Sequence, residues 1–307
     1  MTRDAGTVLV HIGAGIGNVV LTTPLLLALG ELQFTVDVWL TGDYEQTADL
    51  LKSWSVIRAI WTDAALDLRS VDYKHVIPAI PPFYWPRYAS KLSSTLPLVP
   101  RPSESLFYQD EQEFYLSFAR RLGYPPDKRP LVCLPIASSE VQEVGLRTLV
   151  VAPGSKTGEM TAKRWPFFSE LANEFADVAV VGIKDDLQRH DKMPLRFGPH
   201  VKTFVDRLTL RETAELIASA GAVVANDTGL AYVSAAVGTP TLILFGPTPH
   251  VTLGRLPANV RVIRMGSNCE PCWFGRRFQE CAGRIECLRH LSVSMVREQV
   301  LDMLGYQ

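Results

Sequence analysis

The sequence predicts an α/β protein built as two open, doubly wound halves, and three observations carry that expectation. Short apolar β runs alternate with helix-length segments, the mark of βαβ units and a largely parallel sheet. The alternation lapses over a proline-rich stretch, residues 78–102, and restarts near residue 149. Each half begins with a strand that runs into a glycine-bearing turn, Gly13-Ala-Gly15-Ile-Gly17 in the first and Pro153-Gly154-Ser155 in the second. A length of 307 residues suits two domains, each with its own core.

In the first half, strands are expected at 7–12, 34–40 and 56–61, and helices near 18–29, 44–51 and 110–122. Prolines 78, 81, 82, 86, 97, 100 and 102 lie among aromatics and serines, so that stretch reads as a surface connection or a substrate-facing loop. Pro125-Pro126 and residues 130–145 read as the link between domains 1–135 and 146–290. The second half reads as strands at 149–152, 178–183, 201–204, 222–225, 241–245 and 260–263. Helices are expected over 166–175, 210–219, 228–237 and 293–304. Two such sheets would leave a cleft between them, a usual ligand position.

Composition excludes several classes. With 31 Lys+Arg against 32 Asp+Glu the net charge is -1, which argues against an electrostatic nucleic-acid binder. The hydrophobic content of 47% is too high for intrinsic disorder. No segment reaches the ~20 apolar residues a bilayer crossing needs, and no signal-peptide pattern opens the chain. A cytoplasmic protein is expected, with peripheral membrane contact left open.

Gly13, Gly15 and Gly17 permit a tight turn and present a helix N-terminus to an anion, or serve only to let helix and strand pack. The dinucleotide fingerprint is absent, because its third glycine position holds Asn18. The ribose-binding acid could only be Asp37 or Asp43, and Asp37 falls within a strand, which makes a nicotinamide enzyme a poor second reading. In the second half, Gly154, Ser155, Lys156, Lys163, Arg164 and Trp165 surround a turn suited to a diphosphate, or form a solvated basic loop. Asn226-Asp227-Thr228-Gly229-Leu230 ends a strand and starts a small-residue helix at the sheet's carboxyl edge, the expected ligand position; Asp227 can equally cap that helix. Gly238-Thr-Pro240 and Phe245-Gly246-Pro247-Thr248 form a second turn there, or a loop stiffened by proline. Cys269, Cys272, Cys281 and Cys287 carry the spacing C-x2-C-x8-C-x5-C, able to close a tetrathiolate around zinc or iron. The alternative is free or redox-paired thiols. Arg276, Arg277, Arg284 and Arg289 would stabilise such an anionic cluster or reach an anionic substrate, while Cys133 reads as a packing residue.

In order and spacing these segments resemble glycosyltransferase family 9, the ADP-heptose heptosyltransferases. The resemblance implies a GT-B fold, two facing Rossmann-like domains with nucleotide sugar held by the second and acceptor by the first, and a final helix, 291–307, packing back on the first. It implies inverting transfer of a sugar, heptose by family default, from a nucleotide-diphosphate donor such as ADP-heptose to a glycan or protein hydroxyl. Lys163 would neutralise the leaving diphosphate, and Asp227, Thr228, Gly229 and Leu230 would hold it. Gly15, Gly17, Gly154, Ser155 and Trp165 complete the implied binding set. Two positions depart from the family. Asn18 replaces the usual aspartate base, and a carboxamide accepts no proton at neutral pH. Either His11 or Asp43 serves, or Asn18 only orients the acceptor, or the chain is a non-catalytic GT-B binding or assembly subunit. Tyr232 stands where the family often has histidine. The cysteine segment, 269–287, resembles the metal-loaded finger of the protein-modifying heptosyltransferase branch, which hints at a protein acceptor.

Overall fold

The computed structural model describes residues 5–13, 15–41, 46–63, 71–92, 96–138, 144–265, 271–272, 276–281 and 283–305. The chain divides into two compact units. The first comprises Met1–Pro135 and Val251–Leu256, the second Ile136–His250 and Pro257–Gln307.

The first unit holds a parallel sheet of β1 (Thr7–Ile12), β2 (Thr35–Leu40), β3 (Ile57–Thr62) and β4 (His75–Ala79), in the order β3-β2-β1-β4. β1 is buried from Val8 onward, as the run of apolar β-branched residues in a central parallel strand requires. The end of β4, Pro78 and Ala79, falls inside what the prolines marked as irregular. The strand tolerates Pro78 because it is an edge strand, where half the ladder needs no N–H donor. Its outer side takes one bridge, Val76 to Leu98, before Pro78 is reached. The helix expected over 18–29 is broken into Ile16–Leu21 and Thr23–Glu31. Pro24 has no N–H for the Val20 carbonyl, and the Thr23 hydroxyl donates to it instead at 2.7 Å. Both helices pack on the helix Glu111–Arg121.

Asp37 of β2 is fully buried and structural. Arg58 donates to it twice, at 2.9 and 2.6 Å, and the Tyr73 hydroxyl once, at 2.9 Å.

The second unit contains β5 (Leu149–Ala152), β6 (Val178–Val180), β7 (Lys202–Thr203), β8 (Ala222–Asn226), β9 (Thr241–Leu244) and β10 (Val260–Ile263). All pairs are parallel, in the order β10-β9-β8-β5-β6-β7. Read from the other edge, this is the doubly wound order 3-2-1-4-5-6, whose direction reverses between β5 and β8. The core beneath combines Leu149, Val151, Trp165, Phe168, Val224 and Leu242 with Leu288, Leu291, Val296 and Val300.

The helix Val293–Met303 buries Val296 and Val300 in the core of the second unit. The segment Val251–Leu256 is the part of the later chain that joins the first unit. The buried Gln112 amide donates to the carbonyls of Leu253 and Arg255, the latter at 2.9 Å. Among the described residues no helix is long and apolar enough to cross a membrane.

Candidate functional site

In the second unit the carboxyl ends of β5 and β8 flank the reversal point, and the predicted donor residues gather there. Asn226 ends β8 and ties the two strand ends together. Its side-chain amide donates to the carbonyls of Pro153, at 2.7 Å, and Gly154, at 3.2 Å, while its oxygen accepts from the Trp165 backbone N–H at 2.9 Å. A Cβ at Gly154 would overlap the Asp186 carboxylate, which would have to shift to admit it. Burial pushes that carboxyl above its ordinary range, despite the Ile183 N–H and the Arg164 guanidinium beside it.

Asp227 is the centre of the arrangement. Its Oδ2 accepts from Lys163 Nζ at 2.5 Å and from the Thr248 hydroxyl at 2.6 Å, and its Oδ1 accepts from the Tyr232 hydroxyl. The carboxylate therefore does not cap the helix Gly229–Val237, whose N-cap is Thr228 with no side-chain cap bond. Burial works to raise the Asp227 pKa. The Lys163 ammonium, helped by the Thr248 and Tyr232 donors, overcomes that and holds it below the ordinary aspartate value. Lys163 also donates to the Asp227 backbone carbonyl at 3.2 Å. Two of its three N–H bonds are thus fixed among the described residues, which aims the ammonium at the start of the helix. Thr228, Gly229 and Leu230 are half-buried there, so their backbone lies within reach of a ligand. A charged ammonium at a helix N-terminus favours an anion.

Three predicted residues have duties other than ligand contact. Trp165 has no exposed surface and donates its indole N–H to the Leu291 carbonyl at 2.9 Å, so its side chain belongs to the core and not to the donor. The Ser155 hydroxyl accepts from Arg164 Nε at 3.0 Å and donates to the Met160 carbonyl at 2.9 Å. Arg164, one of the cations read as diphosphate partners, is only 2% exposed and spends its guanidinium on Ser155, Asp185 and Gln188. Thr248, in the turn read as a proline-stiffened loop, supplies a donor to Asp227, as does Tyr232.

In the first unit Gly15 precedes the helix Ile16–Leu21 at a φ of 123°, a backbone shape that favours glycine, and Gly17 lies in that helix's first turn. Asn18 Nδ2 donates to Glu111 Oε1 and lies 3.3 Å from the Tyr115 hydroxyl, which itself donates to Glu111 Oε1 at 2.9 Å. Glu111 is the residue the sequence did not disclose. Ninety-three positions separate it from Asn18. An acidic residue in the first turn of a helix looks like ordinary dipole compensation. His11 is no surface base: it is fully buried, with its ring stacked 3.7 Å from that of Trp39. Asp43 lies outside the described residues. In the proline-rich stretch Arg101 is stacked 4.3 Å over Trp85 and donates to the carbonyls of Pro78 and Ile80, fixing the segment to the end of β4. Burial pushes its guanidinium down to about 10.

Cys269 lies outside the described residues. Among the described residues no three Cys, His, Asp or Glu side chains assemble as a metal cage. Cys272 and Cys281 are half-buried, and Cys287 lies against the core of the second unit. Arg276, Arg284 and Arg289 pair with Glu280, Glu286 and Asp191 at 2.9, 3.1 and 3.3 Å.

Comparison with known proteins bears on the family and the fold. The profile of glycosyltransferase family 9 (heptosyltransferase) matches residues 111–281. The lipooligosaccharide heptosyltransferase 2 of Haemophilus influenzae is 31% identical over 123 residues, 37% of this chain and 35% of that protein. The matching stretch thus spans about a third of that relative's length. The structure of Escherichia coli ADP-heptose lipopolysaccharide heptosyltransferase II superposes with a TM-score of 0.72 at 18% identity, covering 97% of this chain and 98% of that one. The dodecameric iron-containing heptosyltransferase TibC of enterotoxigenic Escherichia coli, solved in complex with ADP-D-β-D-heptose, gives a TM-score of 0.71 at 15% identity, covering 98% and 76%. These likenesses show the fold, of the GT-B class. With the family profile covering more than half of the sequence, the chain belongs to glycosyltransferase family 9.

Proposed function

We propose that the chain is an inverting glycosyltransferase that moves a sugar, heptose by the family default, from a nucleotide-diphosphate donor such as ADP-heptose to a glycan or protein hydroxyl. The observation that carries this reading is the Lys163–Asp227 pair, 2.5 Å apart, at the N-terminus of the helix Gly229–Val237 on the reversal point of the second sheet. As the bond from the anomeric carbon to the diphosphate breaks, negative charge grows on the departing oxygen. An ammonium already fixed in place stabilises that charge without having to reorganise. The backbone of Thr228, Gly229 and Leu230 binds the phosphates, and Asp227 holds Lys163 in place. Bound ADP-heptose in a structural neighbour supports the donor class. A cytoplasmic location accords with such a donor.

ADP is expected to raise the melting temperature, since a ligand at about 100 times its Kd adds about 2.7 kcal/mol of stability. Lys163→Ala should remove most of that rise. A melting temperature indifferent to ADP and to other nucleoside diphosphates would overturn the donor site.

A structural zinc or iron ion at Cys269, Cys272, Cys281 and Cys287 rests on their spacing, with the iron-containing neighbour in support. Elemental analysis of purified protein should find about one ion per chain, lost in Cys272→Ser. Equal metal content in wild type and variant would refute it.

A further inference from the structure

Asp227 is held not by Lys163 alone but also by two hydroxyls that reach it from elsewhere in the second unit. We propose that Thr248, together with Tyr232, is a positioning residue of the transfer reaction, clamping the Asp227 carboxylate so that Lys163 stands fixed against the departing diphosphate. This inference rests on the glycosyltransferase reading above and lies wholly within the second unit.

Donors from separate elements converge on the one carboxylate. Lys163 closes the short helical turn Gly158–Lys163, Tyr232 lies in the helix Gly229–Val237, and Thr248 lies in the loop that leaves β9. The Thr248 hydroxyl donates to Asp227 Oδ2 at 2.6 Å, and the same oxygen accepts from Lys163 Nζ at 2.5 Å. The Tyr232 hydroxyl donates to the other oxygen, Oδ1. With a donor on each oxygen, the carboxylate cannot turn about its Cβ–Cγ bond without breaking a hydrogen bond. The lone pairs it offers to Lys163 therefore keep one direction. A hydroxyl bond of 2.6 Å has the length of a charge-assisted one, roughly twice as strong as a bond between neutral groups.

The loop is built to hold the Thr248 hydroxyl still. At its start Phe245 is 1% exposed, and its backbone N–H donates to the Ile263 carbonyl at 2.9 Å. Gly246 lies directly on the Leu288 side chain, which a Cβ there would have to displace. Pro247 and Pro249 fix the backbone on either side of Thr248, and Thr248 itself is buried. Tyr232 is buried as well and carried by its helix. A hydroxyl has a single proton, and each of these gives its own to Asp227. Neither is left to donate to a phosphate, so their effect on the donor passes through Asp227 to Lys163. The negative charge that grows on the departing oxygen then meets an ammonium that need not reorient.

The test reads ADP release from ADP-D-β-D-heptose, offered with glycan and Ser/Thr-peptide acceptors, and the melting temperature with and without ADP. Thr248→Val keeps the shape of the side chain and loses the hydroxyl, whereas Thr248→Ser keeps the hydroxyl and loses a methyl group. Thr248→Val should lower kcat about 10–100-fold, with a smaller change in KM, and shrink the ADP-induced rise in melting temperature. Thr248→Ser should recover most of both losses. Tyr232→Phe should lower kcat about tenfold. In a Lys163→Ala background, adding Thr248→Val should cost less than about twofold in kcat, because the group it positions is gone. Should Thr248→Val fail to fold, Thr248→Ala read against Thr248→Ser isolates the hydroxyl. A wild-type kcat in Thr248→Val or in Tyr232→Phe, a Thr248→Ser variant more damaged than Thr248→Val, or an equal loss with and without Lys163 overturns the clamp and leaves the glycosyltransferase reading standing. A wild type that binds ADP but releases none from the donor with any acceptor overturns both.

Discussion

Asp227→Ala is expected to lower the unfolding free energy by about 3–5 kcal/mol and to abolish the ADP-induced gain in stability. The carboxylate is 7% exposed and the Lys163 ammonium 16%, so removal leaves a largely desolvated cation without its counter-charge. The hydroxyls of Thr248 and Tyr232 lose their acceptor in the same change. The pH dependence follows in sign. The folded site lowers the Asp227 pKa, so its contribution is fully present above about pH 4, the ordinary aspartate value. It is lost as the pH falls through the lower, folded value. The stability gap between wild type and Asp227→Ala should therefore be widest at neutral pH and shrink toward strongly acidic pH. Chemical denaturation at pH 7 and at about pH 2 measures this, and a gap independent of pH would contradict the ion pair as its source.

Trp165→Ala should cost about as much, 3–5 kcal/mol, by a different route. The indole is among the largest side chains wholly buried in the second unit, and truncation opens a cavity beneath β5 and β8. Trp165→Phe separates packing from polarity. It keeps most of the volume but strips the Leu291 carbonyl of its donor, at an expected cost of about 1–3 kcal/mol. Donor affinity should persist in Trp165→Phe, measured as the ADP-induced melting shift, because the backbone N–H that meets Asn226 is retained. A Trp165→Phe variant as stable as wild type would show that the Leu291 carbonyl does not depend on this bond.

Much of the second unit was readable from sequence because its signals are local. A strand ending in Asn226-Asp227-Thr228-Gly229 declares both its register and its helix start within a few residues, and Lys163 announces itself as a cation beside a proline-started segment. What escaped was decided by distant partners. β4 carries Pro78 and looks irregular until β1 is known to lie on only one side of it. Arg164 and Trp165 have the chemistry of ligand contacts, yet each finds a partner elsewhere in the second unit that withdraws it from the surface. Glu111 reads as an ordinary first-turn acid until helix packing brings Asn18 to it.

The return of Val251–Leu256 to the first unit bears on how the protein is made. The Gln112 side chain donates to carbonyls 141 and 143 residues further along, so the first unit is unfinished until the ribosome has passed residue 256. By then every strand except β10 has been synthesised. A nascent first half therefore waits, its sheet formed but one buried amide unsatisfied, while the second half emerges. Contacts this remote in sequence are slow to form, because so much chain must be closed before they add stability. The two halves are coupled in their folding order even though each has its own core. The vulnerable interval of biosynthesis, when a chaperone matters most, falls between the synthesis of residue 135 and that of residue 256.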